Sequence, residues 1–139
     1  MPDNSMVVEK AGLTLAAAKK IIAAAEAEAL KHAWPVVIAV VDDGGNLICL
    51  QRLDNAQFGS VDIAIQKARS AVAFKRPTKA WEELLASGQH RILGLPGVLP
   101  SEGGVPLTWK GQIVGAVGVS GVKSSEDGQI ARAGAAILE

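Results

Sequence analysis

The stretch GQIVGAVGVSG, from Gly111 to Gly121, decides the fold because its glycines fit either a nucleotide-binding loop or a strand. A dinucleotide-binding fingerprint has G-x-G-x-x-G between a strand and a helix of a parallel βαβ unit. Here the spacing is G-x-x-G-x-x-G, and too few residues follow Gly121 for a second parallel strand. The G-K-[ST] end of a phosphate-binding loop is missing as well. We therefore predict a strand whose glycines permit close approach by a helix, a neighbouring backbone or a flat ligand.

Working outward from this strand, the pattern predicts two antiparallel hairpins. VPLTW (105–109) precedes it across a tight Lys110-Gly111 turn. Earlier in the chain, VVIAVVD (36–42) and LICLQRL (47–53) flank a DGGN turn. We therefore expect the strands to pair as hairpins and not through βαβ crossovers.

Four helices are predicted around these strands. The first follows Thr14 as its N-cap, runs for about 17 residues and ends before Pro35. A second begins with Ser60 as its cap, a short third is capped by Thr78, and a fourth closes the chain. The order α-β-β-α-α-β-β-α predicts a single α+β domain over residues 1–139.

Composition and charge indicate which kinds of partner and location to expect for this protein. The chain has 14 basic and 14 acidic residues, so its balanced charge argues against nucleic acid as a partner. We expect no membrane association, because no apolar run approaches the roughly 20 residues of a membrane span. The start of the chain lacks a secretory pattern and there is one cysteine, so we expect a cytoplasmic protein. Hydrophobic residues make up 49% of this short chain, which predicts a homo-oligomer.

Several stretches, in order and at matching spacing, carry a family resemblance. They are LTLAAAKKII (13–22), VVIAVVDDGGNLICLQRLDNA (36–56), DIAIQKARSAVAFKRPT (62–78), LPGVLPSEGGVPL (95–107), GQIVGAVGVSG (111–121) and EDGQIARAG (126–134). With them the chain resembles the GlcG/HbpS-like family, which includes the C-terminal domain of PduO-type cobalamin adenosyltransferases. The resemblance implies a profilin-like fold with an antiparallel sheet of about five strands flanked by helices, assembled as dimers to octamers. It also implies haem binding, or a role beside glycolate, glycerol or diol pathways.

Haem iron takes an axial His, Cys, Met or Tyr, and this chain has no tyrosine. His32 and His90 are the candidate iron ligands. The simpler interpretations are that His32 is a cation at the end of the first helix and that His90 is a solvated loop residue. Cys49 is expected to be a buried, inert thiol on its strand. Gly103, Gly104 and Arg69 are candidates for contact with the cofactor, and the simpler interpretation of the two glycines is a tight loop.

Catalytic residues are harder to assign, because no nucleophile–base–acid motif or zinc spacing is present. Lys67, Arg52, Asp54 and Glu102 are the candidates for proton transfer on a small carboxylate or hydroxy-carbonyl metabolite. The simpler interpretation is a structural pairing of these charges, since charges in apolar surroundings need partners. Three functions stay open: a haem- or tetrapyrrole-binding protein, an enzyme on such a metabolite, and a structural accessory to a neighbouring enzyme.

Overall fold

The protein is described by a computed structural model over residues 4–139. Its main elements follow the predicted order: α1 (Leu15–Lys31), β1 (Val37–Asp42), β2 (Leu47–Arg52), α2 (Gly59–Phe74), α3 (Thr78–Ala86), β3 (Gly104–Trp109), β4 (Gln112–Ser120) and α4 (Ser124–Ala135). Three short 3₁₀ turns complete it, at Asn4–Met6, His90–Gly94 and Ala136–Leu138. No helix within residues 4–139 is long and apolar enough to cross a membrane.

The sheet has four strands in the order β2-β1-β4-β3, and every neighbouring pair is antiparallel. The α+β class is thus confirmed, whereas the expectation of about five strands is wrong. The segment between α3 and β3 adds no strand because it contains a 3₁₀ turn and two prolines, Pro96 and Pro100. Proline has no N–H to donate to a strand ladder.

Alternate residues of the two central strands face different helical layers. On β1, Ile38 and Val40 belong to the core that includes α1 and α4, whereas Val37 and Ala39 pack with α2. The larger core contains Ala18, Ile21, Ile22, Ala25, Ile38, Val40, Leu107, Val117, Val119, Ile130 and Ala131. The sheet is therefore buried on both faces, with α2 covering one of them.

Glycines allow α2 to lie almost directly on the sheet. Gly104 and Gly118 are paired across β3 and β4. A Cβ atom at Gly118 would overlap the carbonyl oxygen of Ala64, and one at Gly104 would overlap that of Lys67. The close approach predicted for the glycine-bearing strand is therefore made by the backbone of a helix at Gly118, and by the backbone of β1 at Gly115, where a Cβ atom would overlap the carbonyl oxygen of Val41.

The predicted helix caps are only partly correct. Thr14 caps α1, because its Oγ1 accepts from the N–H of Ala17 at 3.0 Å. Ser60 instead lies inside α2, with its Oγ 3.2 Å from the Oγ of Ser120. The hydroxyl of Thr78 accepts from the N–H of Gly104 at 2.9 Å. Both residues are fully buried, and their hydroxyls bond to Ser120 and Gly104 of the sheet, and for Ser60 also to the Gln57 side chain, instead of capping helices.

Candidate functional site

A cavity of about 350 Å³ opens where β3 begins, between α3 and α4. We call it the Gly103 pocket; it is lined by Pro77, Lys79, Glu102, Gly103, Gly104, Val105, Arg132 and Glu139. Three of the residues singled out from the sequence, Glu102, Gly103 and Gly104, thus meet in one place. A fourth, Lys67, lies directly behind its wall, because a Cβ atom on Gly103 would come within 2.8 Å of the Lys67 Nζ.

Lys67 forms a buried ion pair with Asp127. Its Nζ donates to the Asp127 Oδ2 at 3.0 Å and to the Val119 carbonyl at 2.9 Å. The two side chains are 2% and 3% exposed. The other carboxylate oxygen of Asp127 accepts from the N–H of Val122 at 3.1 Å. Burial raises the pKa of Asp127 above its ordinary range, and this effect outweighs the opposing attraction of Lys67.

A second ion pair lies at the pocket itself. The Arg132 Nη1 donates to the Glu102 Oε2 at 2.8 Å. The Glu102 side chain is 7% exposed, whereas that of Arg132 is 53% exposed. Room for the carboxylate is made by Gly128, where any Cβ atom would overlap it. The backbone N–H of Glu102 also donates to the Glu82 Oε1 at 3.0 Å.

Two adjacent residues of α4, Asp127 and Gly128, thus serve both ion pairs. Asp127 binds the ammonium group of Lys67, and Gly128 makes space for Glu102. Sequence reasoning singled out Lys67 and Glu102 but missed Arg132 as the partner of Glu102. The spacing of four residues between Gly128 and Arg132 places both on one side of a helix, and this pattern could have indicated that Arg132 lies beside a group packed against Gly128.

His32 lies at a different place, just after the end of α1. Its Nε2 is 3.1 Å from the Glu28 Oε2, which also accepts from the Gln129 Nε2 at 2.8 Å. These hydrogen bonds, that of Gln129 foremost, lower the pKa of Glu28. The imidazole stacks on Trp34 with ring centroids 4.1 Å apart. Trp34 in turn lines a cleft of about 310 Å³ together with Leu30, Pro35, Leu53 and neighbouring residues.

The model of the haem-degrading HbpS-like protein family matches residues 13–136. The chain belongs to the HbpS-like family. Protein GlcG of Escherichia coli K12 is 46% identical over 103 residues, which cover 74% of this chain and 77% of GlcG.

Solved structures of HbpS-like proteins agree with this fold. A double mutant of Streptomyces reticuli HbpS is 38% identical, with a TM-score of 0.88 over 100% of this chain and 95% of that one. The haem complex of PduOC is 26% identical, with a TM-score of 0.83 over 93% of this chain and 96% of that one. The resemblance to HbpS and to the PduO C-terminal domain is therefore confirmed.

The remaining residues selected from the sequence of this HbpS-like chain do not line the Gly103 pocket. The Arg69 Nε donates to the Gly45 carbonyl at 2.9 Å, beside the turn between β1 and β2. Arg52 is exposed at the end of β2. Asp54 is exposed and lines the cleft beside Trp34. Within residues 4–139, Arg52 and Asp54 form no ion pair.

The second candidate, His90, and the cysteine and methionines of the chain, which are residue types that ligate haem iron, are scattered. His90 is exposed at the start of a 3₁₀ turn, and its ring has no hydrogen bond within the part of the chain that the structure describes. Cys49 is half-buried on β2, opposite Val40 of β1. Met6 is exposed, and Met1 lies outside the described residues. Over residues 4–139, no three His, Cys, Asp or Glu side chains are grouped so that they could hold a metal ion.

Proposed function

We propose that this HbpS-like protein binds haem or a related tetrapyrrole, with His32 as the iron ligand. The observation that carries the proposal is the likeness to the haem complex of PduOC, at a TM-score of 0.83 and 26% identity. The family description, which names haem degradation, supports the same ligand. Of the two histidines, His32 has the surroundings that suit a haem ligand.

The Glu28 carboxylate orients His32 as ligating histidines are usually oriented. Such a histidine donates one ring N–H to a carboxylate, carbonyl or water, and binds the metal through its other nitrogen. With the Glu28 carboxylate as acceptor, the neutral ring carries its proton on Nε2 and leaves the lone pair of Nδ1 for iron, and the Gln129 Nε2, 3.3 Å from the same ring nitrogen, donates to Glu28. Trp34 stacks against the ring and restricts its rotation. The His32 side chain is 38% exposed, so a ligand can reach it.

Apolar surface for a macrocycle lies beside this histidine. Leu30 is 64% exposed, and it lines the adjacent cleft with Trp34, Pro35 and Leu53. When bound, haem would supply the iron and its redox chemistry. The protein would contribute the axial imidazole, its orientation by Glu28 and an apolar surface that excludes water from one face.

A homo-oligomer is part of the proposal. Phe58 is 82% exposed at the start of α2, and large apolar side chains are exposed on several other elements. They are Met6, Val7, Val8, Leu15, Leu30, Leu47, Ile63, Leu93, Trp109 and Ile137. Contacts between copies would cover part of this surface. Light scattering of the purified protein tests this part of the proposal, and a monomer at all concentrations contradicts it.

Haem titration tests the proposed function. We expect the wild type to shift the Soret band and to saturate at a fixed haem-to-protein ratio. His32→Ala should weaken haem binding by at least the roughly 10–100-fold that loss of a partner of a ligating histidine costs, because it removes the ligand itself. His90→Ala is the matched control and should bind haem as the wild type does. If the wild type produces no Soret shift, the proposal is wrong; if only His90→Ala loses binding, haem binding stands and the ligand is His90.

A further inference from the structure

We propose that the Gly103 pocket binds a small compound with a hydroxyl group next to a carbonyl or carboxylate oxygen. The juxtaposition that carries this inference is the Glu102–Arg132 ion pair at the wall of a cavity of about 350 Å³. Because His32 is not among the residues lining this pocket, the proposal does not depend on haem binding.

The ion pair offers one acceptor and several donors side by side. The Arg132 Nη1 uses one of five guanidinium N–H donors on the Glu102 Oε2. Within residues 4–139, no donor reaches the other carboxylate oxygen of Glu102, Oε1. A hydroxyl group donates and a neighbouring carbonyl oxygen accepts. A hydroxy-carbonyl compound therefore matches Glu102 and Arg132 with two charge-assisted hydrogen bonds.

The pocket is organised before a ligand arrives. Glu102 is fixed through its carboxylate by Arg132 and through its N–H by Glu82. Gly103 and Gly104 keep the wall free of side chains, and the buried Lys67 ammonium supports Gly103 from behind. Binding therefore orders few new groups, which favours affinity for small molecules.

Size and charge define the class of ligand. Cavities of this volume are at the small end of ligand sites. The cationic Lys79 and Arg132 side chains are balanced by Glu102 and Glu139, so the pocket selects by hydrogen bonding more than by net charge. Pro77 and Val105 add apolar wall for a short alkyl group.

Titration of the ¹⁵N-labelled protein, followed by NMR, tests this inference with hydroxyacetone and lactate as probes. We expect the amide signals of Gly103 and Gly104 to shift and to saturate in the range of about 1–10 mM, as for weak fragments. Acetone and propionate lack the hydroxyl group, so we expect their affinity to be at least about tenfold lower. Arg132→Gln should weaken binding of both probes by about tenfold or more.

Matched variants make each outcome decisive. Arg91→Gln changes an exposed arginine outside the pocket and should bind the probes as the wild type does. Arg132→Lys keeps the charge but loses the planar set of donors, so it tests the inference if Arg132→Gln fails to fold. The inference is overturned if neither probe shifts Gly103 or Gly104, if acetone and propionate bind equally well, or if folded Arg132 variants bind as the wild type. His32→Ala should retain probe binding, which separates this test from that of haem.

Discussion

Lys67 of α2 and Asp127 of α4 form an ion pair that joins the two helical layers through the end of the sheet, with a distance of 3.0 Å between Nζ and Oδ2. Both side chains are almost fully buried, and Val119 and Val122 satisfy further polar atoms of the pair. Moving both charges out of water costs free energy when such a pair forms, and removal of one partner leaves the other charge buried without an opposite charge.

Lys67→Met is therefore expected to lower the free energy of unfolding by about 3–5 kcal/mol, because Asp127 then stays buried without a cation. Urea unfolding measures this loss. Lys79→Met is the control: Lys79 is exposed and lies 3.9 Å from Glu83, so the change should stay within about 0.5 kcal/mol. Lys67→Met/Asp127→Asn should lose less than the sum of the single variants. Additive losses would show that the pair is not coupled.

The pH dependence of Asp127 has a defined sign. Burial raises its pKa in the folded protein above the ordinary value of 3.8, so the folded state binds its proton more tightly than the unfolded state does. As pH rises from about 3.8 through the folded-state pKa, ionisation of Asp127 lowers the free energy of unfolding. Below and above that pH range, the ionisation of Asp127 does not change the free energy of unfolding with pH.

Asp127→Asn removes this titration while the other carboxyl groups remain. Urea unfolding of both proteins between about pH 3 and about pH 7 should show the wild type losing stability relative to Asp127→Asn as pH rises. A difference that stays constant, or that changes in the opposite direction, would contradict the raised pKa.

Gly118 tests the close approach of α2 to the sheet. Gly118→Ala places a methyl group on the Ala64 carbonyl, so α2 must move away. We expect a loss of about 1–3 kcal/mol, as for an overpacked core, with a lower midpoint of thermal unfolding. Gly94→Ala is the control, because nothing lies within 4 Å of a Cβ atom there. Equal midpoints for the wild type and Gly118→Ala would show that the approach is not close.

The same glycine shows how far the sequence predicts this molecule. The spacing of Gly115, Gly118 and Gly121 excludes a nucleotide loop and predicts a strand with close neighbours, as observed. Local patterns also predict both hairpins and the Thr14 cap. The hairpins and the cap each depend on a few neighbouring residues, so local turn and cap chemistry is enough to predict them.

The charged site could be predicted only in part. Lys67 needs a partner because it lies among apolar helix positions, but that partner, Asp127, is 60 residues away. Pairing over this distance depends on the sheet order, which local patterns do not determine. The caps expected at Ser60 and Thr78 fail for the same reason, because Ser120 and Gly104 take their hydroxyls.

Glu28→Gln tests whether the carboxylate orients His32 for haem. Glutamine preserves size and still offers a carbonyl oxygen to Nε2, but it removes the negative charge, so the hydrogen bond that orients the ring and raises the basicity of Nδ1 is weaker. We expect haem affinity to fall by about 10–100-fold, as for other partners of metal-ligating histidines. Glu83→Gln, an exposed residue of α3, is the control and should leave haem affinity unchanged. Because Glu28 touches His32 and not the pocket residues, hydroxyacetone binding should be unaffected. If Glu28→Gln binds haem as tightly as the wild type while His32→Ala does not, the imidazole binds iron without help from Glu28, and its contacts with Trp34 and Gln129 suffice to hold the ring.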